Sequence, residues 1–459
     1  MVEGRTHKPV IGPEQCHSCN VCIKGCPAEL ITEYRNEKDS LRGTLYQGKV
    51  REKALEDKVP LPPCQEACPI HQDTRGYVAM VGQGKFKEAL ELIREVNPLP
   101  AVCGYICHHP CEEACLREKV DHPIPIRLLK RFVAEYEKSE RVRRRSGKKR
   151  REKVLVIGSG PAGLAAANDL SLLGFRVTIF EALPVLGGML AVGIPEFRLP
   201  KDIVKMEIDG IKALGVEMKT NHRFHFEGNG KRFQKLGFHA AFLSIGAHRS
   251  SRLNIPGERL QGVLPGVEFL RDINLGKGIK IGKKIAVIGG GNVALDVARS
   301  AIRLGAETVE IFYRRSRKEM PAIPEEVEEA IHEGIKIHFL ASPIKVIGKR
   351  GRAVGMECVE MKLGEPDEKG RRKPSPIEGS NFKVHTETII AAIGQRVERR
   401  YLKGVDINQD GTVRIDSKTG ETSMKGVFAG GDMVTGPGWA IDAIAAGKKG
   451  AESIHRYLS

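Results

Sequence analysis

The chain has 459 residues, 41% hydrophobic and 29% charged, which is long enough for about three globular domains and too apolar for wholesale disorder. Its 74 Lys and Arg against 57 Asp and Glu give a net charge of +17, and no run of 18 apolar residues is present to cross a bilayer. The opening MVEGRTHKPVIGPEQ lacks the apolar core of a signal peptide, so the expectation is a soluble, cytoplasmic protein with no membrane span.

Ten of the eleven cysteines precede residue 116, and in a reducing compartment such clustering favours metal ligation over disulfides. Within residues 1–50, CHSCNVCIKGCP sets Cys16, Cys19, Cys22 and Cys26 in the C-x2-C-x2-C-x3-C-P spacing of bacterial ferredoxins. Tight turns there bring three thiolates around one face of a cubane. Zinc is the competing metal, but a triple C-x2-C-x2-C suits a cubane better than the two pairs a tetrahedron needs. Residues 51–137 read as mainly helical: in GKFKEALELIREV, Phe86, Ala89, Leu90 and Ile93 fall on one side. Two more cysteine blocks interrupt the helices, PCQEACP with Cys64 and Cys68, and CGYICHHPCEEAC with Cys103, Cys107, Cys111 and Cys115. Residues 138–153, KSERVRRRSGKKRREK, hold ten Lys or Arg and two Glu. Aromatic residues total only 5% and none interleaves with this run, so it reads as a solvated linker or a dock for an acidic electron carrier, with no nucleic acid partner.

From residue 154 the texture changes to short Val/Ile/Ala strands followed by glycine-opened helices. In VLVIGSGPAGLAAANDLSLLGFRVTIFEA, Gly158, Gly160 and Gly163 fit G-x-G-x-x-G between strand and helix, and Glu181 ends the next strand. Gly158 turns the chain, Gly160 lets backbone approach a pyrophosphate, Gly163 brings helix and strand together, and Glu181 can accept ribose hydroxyls. The second opening, KIAVIGGGNVALDVARSAIRLGAETVEIFYRRSRKEM, has Gly289, Gly291 and Ala294 in the same places. Aligning the second strands sets Tyr313 where Glu181 stood, followed by Arg314 and Arg315. An acid would repel a 2′-phosphate whereas arginines bind one, so NADPH is expected over NADH. The first site then suits FAD. Near the end, in GVFAGGDMVTGPGWAIDAIAAG, Asp432 is placed to reach a flavin ribityl hydroxyl and the helix from about Trp439 to aim its positive end at the ring. Cys358, amid apolar neighbours, reads as a buried strand residue.

These stretches, with GGML at 187–190, GIPEFRLPK at 193–201, IGAHRSSRLNIPGE at 245–258, YRRSRKEMPA, AAIGQ at 391–395 and AGGD, resemble the glutamate synthase small-subunit family. Its relatives include the NADPH-oxidising part of dihydropyrimidine dehydrogenase and the larger subunit of NADH-dependent ferredoxin:NADP oxidoreductase. The resemblance covers roughly residues 60–459. It implies an α/β chain with an N-terminal, mainly helical iron-sulfur domain, then two tandem Rossmann-like doubly wound domains: FAD-binding at 154–265 and 385–459, interrupted by an NADPH-binding insert at 266–384. Hydride passes between nicotinamide and flavin. By the same resemblance, Pro161, Ala162, Gly188, Met189, Arg198, Gly246, Asn292, Val293, Gly394, Gly431 and Ala440 join the residues above in lining the cofactors.

The resemblance also assigns Cys64 and Cys115 to one 4Fe-4S cluster and Cys68, Cys107 and Cys111 to another. Two departures stand out. The family's extra C-x2-C before Cys64 is missing, leaving the 16–26 run to supply those ligands, and its downstream carboxylate or amide ligand falls near Lys130, whose ammonium cannot bind iron. Two all-cysteine cubanes use eight of the ten thiols; three would need twelve, with His17, His71, His108 or His109 as extra donors. Two clusters is the preferred count. The resulting expectation is an oxidoreductase in a hetero-oligomer, passing electrons between NADPH, FAD and the clusters to or from a partner subunit or ferredoxin-like carrier. A glutamate synthase small-subunit role is the alternative, with ammonia chemistry in another subunit. A disulfide reductase of the thioredoxin reductase kind would need a C-x-x-C after residue 116, where only Cys358 occurs.

Overall fold

The computed structural model describes residues 61–136, 149–225, 231–367 and 370–459. The ferredoxin-like run with Cys16, Cys19, Cys22 and Cys26, and most of the basic run, lie outside the described residues. The chain divides into two compact units, residues 1–141 and 142–459.

The described part of the first unit is helical: Pro63–Glu66, Thr74–Gly82, Phe86–Arg94, Pro100–Ile106, Pro110–Glu113 and Ile126–Tyr136. Local chemistry sets several starts. Asp73 caps its helix by accepting from the Gly76 N–H at 2.9 Å, and prolines at 63, 100 and 110 occupy first-turn positions where their missing N–H costs nothing. Ala89, Leu90 and Ile93 are buried, as their spacing predicted. A Cβ at Gly104 would stand 2.7 Å from the Arg131 Cα, so the helices Pro100–Ile106 and Ile126–Tyr136 cross with their backbones in contact. Fully buried Tyr77 ties the bundle by donating its hydroxyl to the Ile126 carbonyl at 3.2 Å.

The second unit holds two five-stranded parallel sheets. The first runs in the order Val427–Ala429, Ala240–Leu243, Lys153–Ile157, Arg176–Phe180, Glu217–Lys219. The other runs Val263–Pro265, Thr388–Ala391, Lys284–Ile288, Thr308–Tyr313, Lys336–Phe339. Both take strands from beyond a simple tandem arrangement, and the second extends past the expected 266–384 at each end because Val263–Pro265 and Thr388–Ala391 pair with each other. The central strands Lys153–Ile157 and Lys284–Ile288 each bury four consecutive residues. That pattern belongs to strands covered by helices on both faces; each fully buried side chain such as Leu155 or Val287 contributes about 1.5–3 kcal/mol. An antiparallel sheet of Ala341–Lys349, Arg352–Pro366, Arg372–Pro376 and Phe382–His385 is inserted before the second sheet closes, and it buries Cys358 completely. Among the described residues no helix is long and apolar enough to cross a membrane.

Candidate nucleotide and metal sites

Each glycine of the first loop meets a different surrounding. Gly158 sits at φ +103°, and a Cβ there would lie 2.4 Å from the Ser244 carbonyl oxygen. At Gly163 a Cβ would lie 2.0 Å from the Gly158 oxygen, whereas at Gly160 it would meet nothing within 4 Å. The crowded glycines thus hold the turn against the sheet, and the open one faces space at the N-terminus of helix Pro161–Leu172. Glu181 is buried behind the loop: one carboxylate oxygen accepts from the Ser159 N–H and hydroxyl at 2.9 and 2.6 Å, the other from the Leu183 N–H at 2.8 Å. Gly188, at φ +54°, packs onto the same loop, its Cβ position 2.8 Å from the Gly160 Cα, and brings Met189 beside it. From the far end of the chain Gly431 reaches Ala162, a Cβ there lying 3.0 Å from that of Ala162. Asp432 follows, half-buried, its carboxylate accepting from the Gly438 N–H at 3.3 Å. Burial pushes its carboxyl up to about 6. Gly438 lies just before the helix Ala440–Leu458, so Glu181, Asp432 and two helix N-termini gather around one loop. Gly246 and Gly394 hold the left-handed turns after Ala240–Leu243 and Thr388–Ala391, at φ +65° and +119°.

The second loop repeats the plan with other residues. Gly289 turns at φ +143° against the Ala392 carbonyl, while a Cβ at Gly291 would find only Pro321 at 3.9 Å. Asn292, the first residue of helix Asn292–Arg303, accepts from the Ile323 N–H at 3.0 Å, with half-buried Val293 next to it. Behind the loop lies the Tyr313 ring, 2.5 Å from a Cβ at Gly290, with its hydroxyl donating to the Glu319 carbonyl at 2.7 Å. Arg314 and Arg315 were expected to act together on a phosphate; the structure separates them. Arg314 is exposed and has no carboxylate partner among the described residues. Arg315 is buried, its Nε donating to the Arg372 carbonyl at 2.8 Å and a terminal nitrogen lying 3.4 Å from Asp367. The strand that covers it enters the sequence 57 residues later.

Arg198 was expected to border a cofactor, and its guanidinium is instead engaged at the junction of the two halves. Nη1 lies 2.8 Å from Asp296 and Nε 2.9 Å from Glu326, with the Arg198 and Asp296 side chains 8% and 4% exposed. Burial raises the Asp296 carboxyl to about 6 against the pull of Arg198. Arg299 extends the network to Glu326, Glu329 and Glu333 and stacks on Phe197 at 4.7 Å. Nearby Lys201 donates to the Leu190 and Ile194 carbonyls, and burial lowers it to about 8. Sequence reasoning missed Asp296 and Lys201; the signal available was an aspartate inside the apolar run VALDVA.

In the first unit Cys68, Cys103, Cys107 and Cys111 are buried, and Cys64 and Cys115 half-buried. Burial pushes the Cys111 thiol to about 12 and raises Cys107 and Cys64, the last also through its neighbour Cys115. Lys130 is buried among the other four. Burial lowers its affinity for a proton, but Cys103, Cys107, Cys68 and Cys111 together outweigh that and raise it. Its Nζ lies 6.0 Å from the Tyr77 ring centre. The Cys107 sulfur accepts from the His109 N–H at 3.4 Å, and the Cys103 thiol points to the Asn97 side-chain oxygen at 3.9 Å. Thiols this reluctant to ionise alone are suited to a cationic cluster that displaces their protons. Among the described residues no three His, Cys, Asp or Glu side chains gather closely enough for a single metal ion; a cubane, whose four irons at alternate corners each take one thiolate, needs its thiolates farther apart. His71 and His109 hold left-handed turns beside the cysteines, and His109 lies 3.6 Å from Glu112.

Residues 152–447 match the family model of pyridine nucleotide-disulphide oxidoreductases, and residues 58–142 the 4Fe-4S cluster domain described as domain II of dihydropyrimidine dehydrogenase. The chain is 45% identical over 423 residues to the NADP(+)-dependent formate dehydrogenase subunit beta of Moorella thermoacetica, covering 86% of this chain and 60% of that one. It is 40% identical over 427 residues to the NADPH-Fe(3+) oxidoreductase subunit beta of Geobacter sulfurreducens, covering 86% and 63%. It therefore spans less than two thirds of both relatives. With the glutamate synthase (NADPH) small chain of Escherichia coli it shares 31% identity over 421 residues, 86% of this chain and 89% of that one. Among solved structures, Mycobacterium tuberculosis FprA in complex with NADPH superposes with a TM-score of 0.58 at 21% identity, covering 67% of this chain and 85% of the other. That likeness is one of fold.

Proposed function

Because the chain belongs to the pyridine nucleotide-disulphide oxidoreductase family, and within it to the group of the glutamate synthase small chains, we propose that it is the electron-transfer subunit of a hetero-oligomeric NADPH-dependent oxidoreductase. It would pass electrons between NADPH, FAD and 4Fe-4S clusters, to or from a partner subunit or ferredoxin-like carrier. The observation that carries this reading is the pair of glycine loops on matched sheets, one backed by a buried acid and the other by a tyrosine with an exposed arginine beyond it.

FAD supplies the chemistry of taking a hydride from nicotinamide and releasing electrons singly, which side chains cannot do. The first loop would hold it. The Pro161 helix N-terminus offers N–H groups to the pyrophosphate, Glu181 accepts from the ribose, and Asp432 from the ribityl chain. A carboxyl raised to about 6 is one that gains from such a donor. The second loop would take NADPH, with Arg314 toward the 2′-phosphate. Cys68, Cys103, Cys107 and Cys111 would hold one cluster beside Lys130, with Cys103 standing in for the carboxylate or amide that the lysine replaces. Cys64 and Cys115 would share a second cluster with thiols of the 16–26 run.

Anaerobic titration of the purified protein with NADPH and, separately, NADH tests this, following flavin bleaching by absorbance and reduced clusters by EPR. Bleaching with cluster signals at low NADPH supports the relay; bleaching by neither nucleotide overturns it. About eight irons per FAD are expected, and Cys103→Ala should remove about four of them. A second reading, a glutamate synthase small chain, is favoured by the match over 89% of that relative's length, and is decided by the subunit that co-purifies.

A further inference from the structure

We infer that Arg371, on the hairpin between strands Arg352–Pro366 and Arg372–Pro376, is the second arginine of the NADPH 2′-phosphate site, and that Arg315 braces this hairpin without touching the nucleotide. The inference rests on the NADPH reading above. In a βαβ nucleotide fold the adenosine ribose lies at the end of the second strand, where an acid takes the hydroxyls or an arginine the 2′-phosphate. Here that strand ends on Tyr313, whose ring is fixed beneath Gly290. Arg314 next to it is exposed and without a carboxylate partner among the described residues.

The hairpin supplies the remaining charge. Asp367 and Arg371 close its base through reciprocal backbone contacts: the Asp367 N–H donates to the Arg371 carbonyl at 2.7 Å, and the Arg371 N–H to the Asp367 carboxylate at 3.0 Å. The other carboxylate oxygen, Oδ2, lies 3.4 Å from Arg315 and 3.9 Å from Arg371 Nε, so both guanidiniums crowd one carboxylate. Burial pushes the Tyr313 phenol up while Arg315, Arg371 and Arg314 pull it back, so the charge of all three is felt at the end of this strand.

Among the described residues the neighbouring charges do not compensate them. Arg372 pairs with Glu319 at 3.0 Å, and Arg317 pairs with Glu328. Among the described residues, Arg315 and Arg371 share the Asp367 carboxylate and Arg314 has no carboxylate partner, which leaves positive charge for a dianion. Arg315 is fixed at two of its nitrogens by the Arg372 carbonyl and Asp367, so it positions the hairpin. Arg371 keeps its side chain 41% exposed, with a buried Nε that has no hydrogen-bond partner.

The test uses calorimetric binding of adenosine 2′,5′-bisphosphate and of 5′-AMP to the full-length protein, alongside KM for NADPH and NADH in flavin reduction. Wild type should prefer the nucleotide bearing the 2′-phosphate. Arg371→Ala should weaken the bisphosphate about ten- to a hundredfold, the worth of a charge-assisted bond, and leave 5′-AMP within about twofold. Arg371→Lys should recover part of the loss. A wild-type preference that survives Arg371→Ala overturns the hairpin's role and leaves the NADPH reading standing. A wild type that binds both nucleotides alike overturns the NADPH reading, and the hairpin's role with it.

Discussion

The two nucleotide-type sheets share a run of three parallel strands in sequence order, Lys153–Ile157, Arg176–Phe180, Glu217–Lys219 and Lys284–Ile288, Thr308–Tyr313, Lys336–Phe339, yet the residue at the end of the second strand differs. In the first half, Arg176–Phe180 runs into Glu181, a buried carboxylate that already accepts three hydrogen bonds from its own loops. In the second, Thr308–Tyr313 ends on a ring under the glycine turn, with guanidiniums gathered beyond it. The scaffold offers the same phosphate cradle twice. On the reading proposed above, the occupant is chosen by the sign of the charge at the end of the second strand, and that choice is independent of the strands themselves.

The largest effect is expected where the halves meet. Arg198→Met leaves buried Asp296 without its hydrogen-bonded cation and Glu326 with Arg299 alone, at a cost of about 3–5 kcal/mol, and urea unfolding should show it as a lower midpoint. Next come the glycines. Gly163→Val has no room beside the Gly158 carbonyl and should cost about 3 kcal/mol and the bound flavin, read from absorbance of the purified protein. Gly291→Val faces open space, so its stability should stay within about 0.5 kcal/mol of wild type while NADPH no longer bleaches the flavin. Tyr313→Glu recreates the acid of the first half and should lower the NADPH-over-NADH ratio of kcat/KM about tenfold; an unchanged ratio would break the comparison.

A further effect is one of pH. Asp296 is raised from the ordinary 3.8 to about 6 by burial, so the folded protein holds a proton that the unfolded chain has released. The stability this confers is fully present below about 3.8 and is lost as pH rises through about 6. Asp296→Asn should therefore flatten the decline between those values, measured by urea midpoints across the range.

Both glycine loops, the strand-end acid and the helical spacing of Ala89, Leu90 and Ile93 were legible because the interacting residues are near neighbours in sequence. The residues that escaped have distant partners. Arg315 looks like Arg314 until Asp367 and Arg372 close over it, and Arg198 meets Asp296 across 98 residues. Lys130 carried a signal: it shares a helix face with Ile126, Val133 and Ala134, and a lysine on an apolar face has either a partner or a purpose. The second sheet reaches past 266 and 384 because the short strands Val263–Pro265 and Thr388–Ala391 are parallel neighbours in it, and nothing local reveals which sheet adopts such a pair.

The closing strand of the first sheet has a consequence for synthesis. Val427–Ala429 pairs with Ala240–Leu243, and helix Ala440–Leu458 packs so tightly on Pro161–Leu172 that a Cβ at Gly447 would lie 2.1 Å from the Ala162 carbonyl oxygen. A ribosome therefore delivers every strand of the second sheet before it delivers the last strand of the first. The inserted half can fold while the flavin-type half waits, exposing the edge of Ala240–Leu243 until translation is nearly finished. Nascent chains halted before residue 427 should protect 284–313 from protease and leave 153–180 open to it.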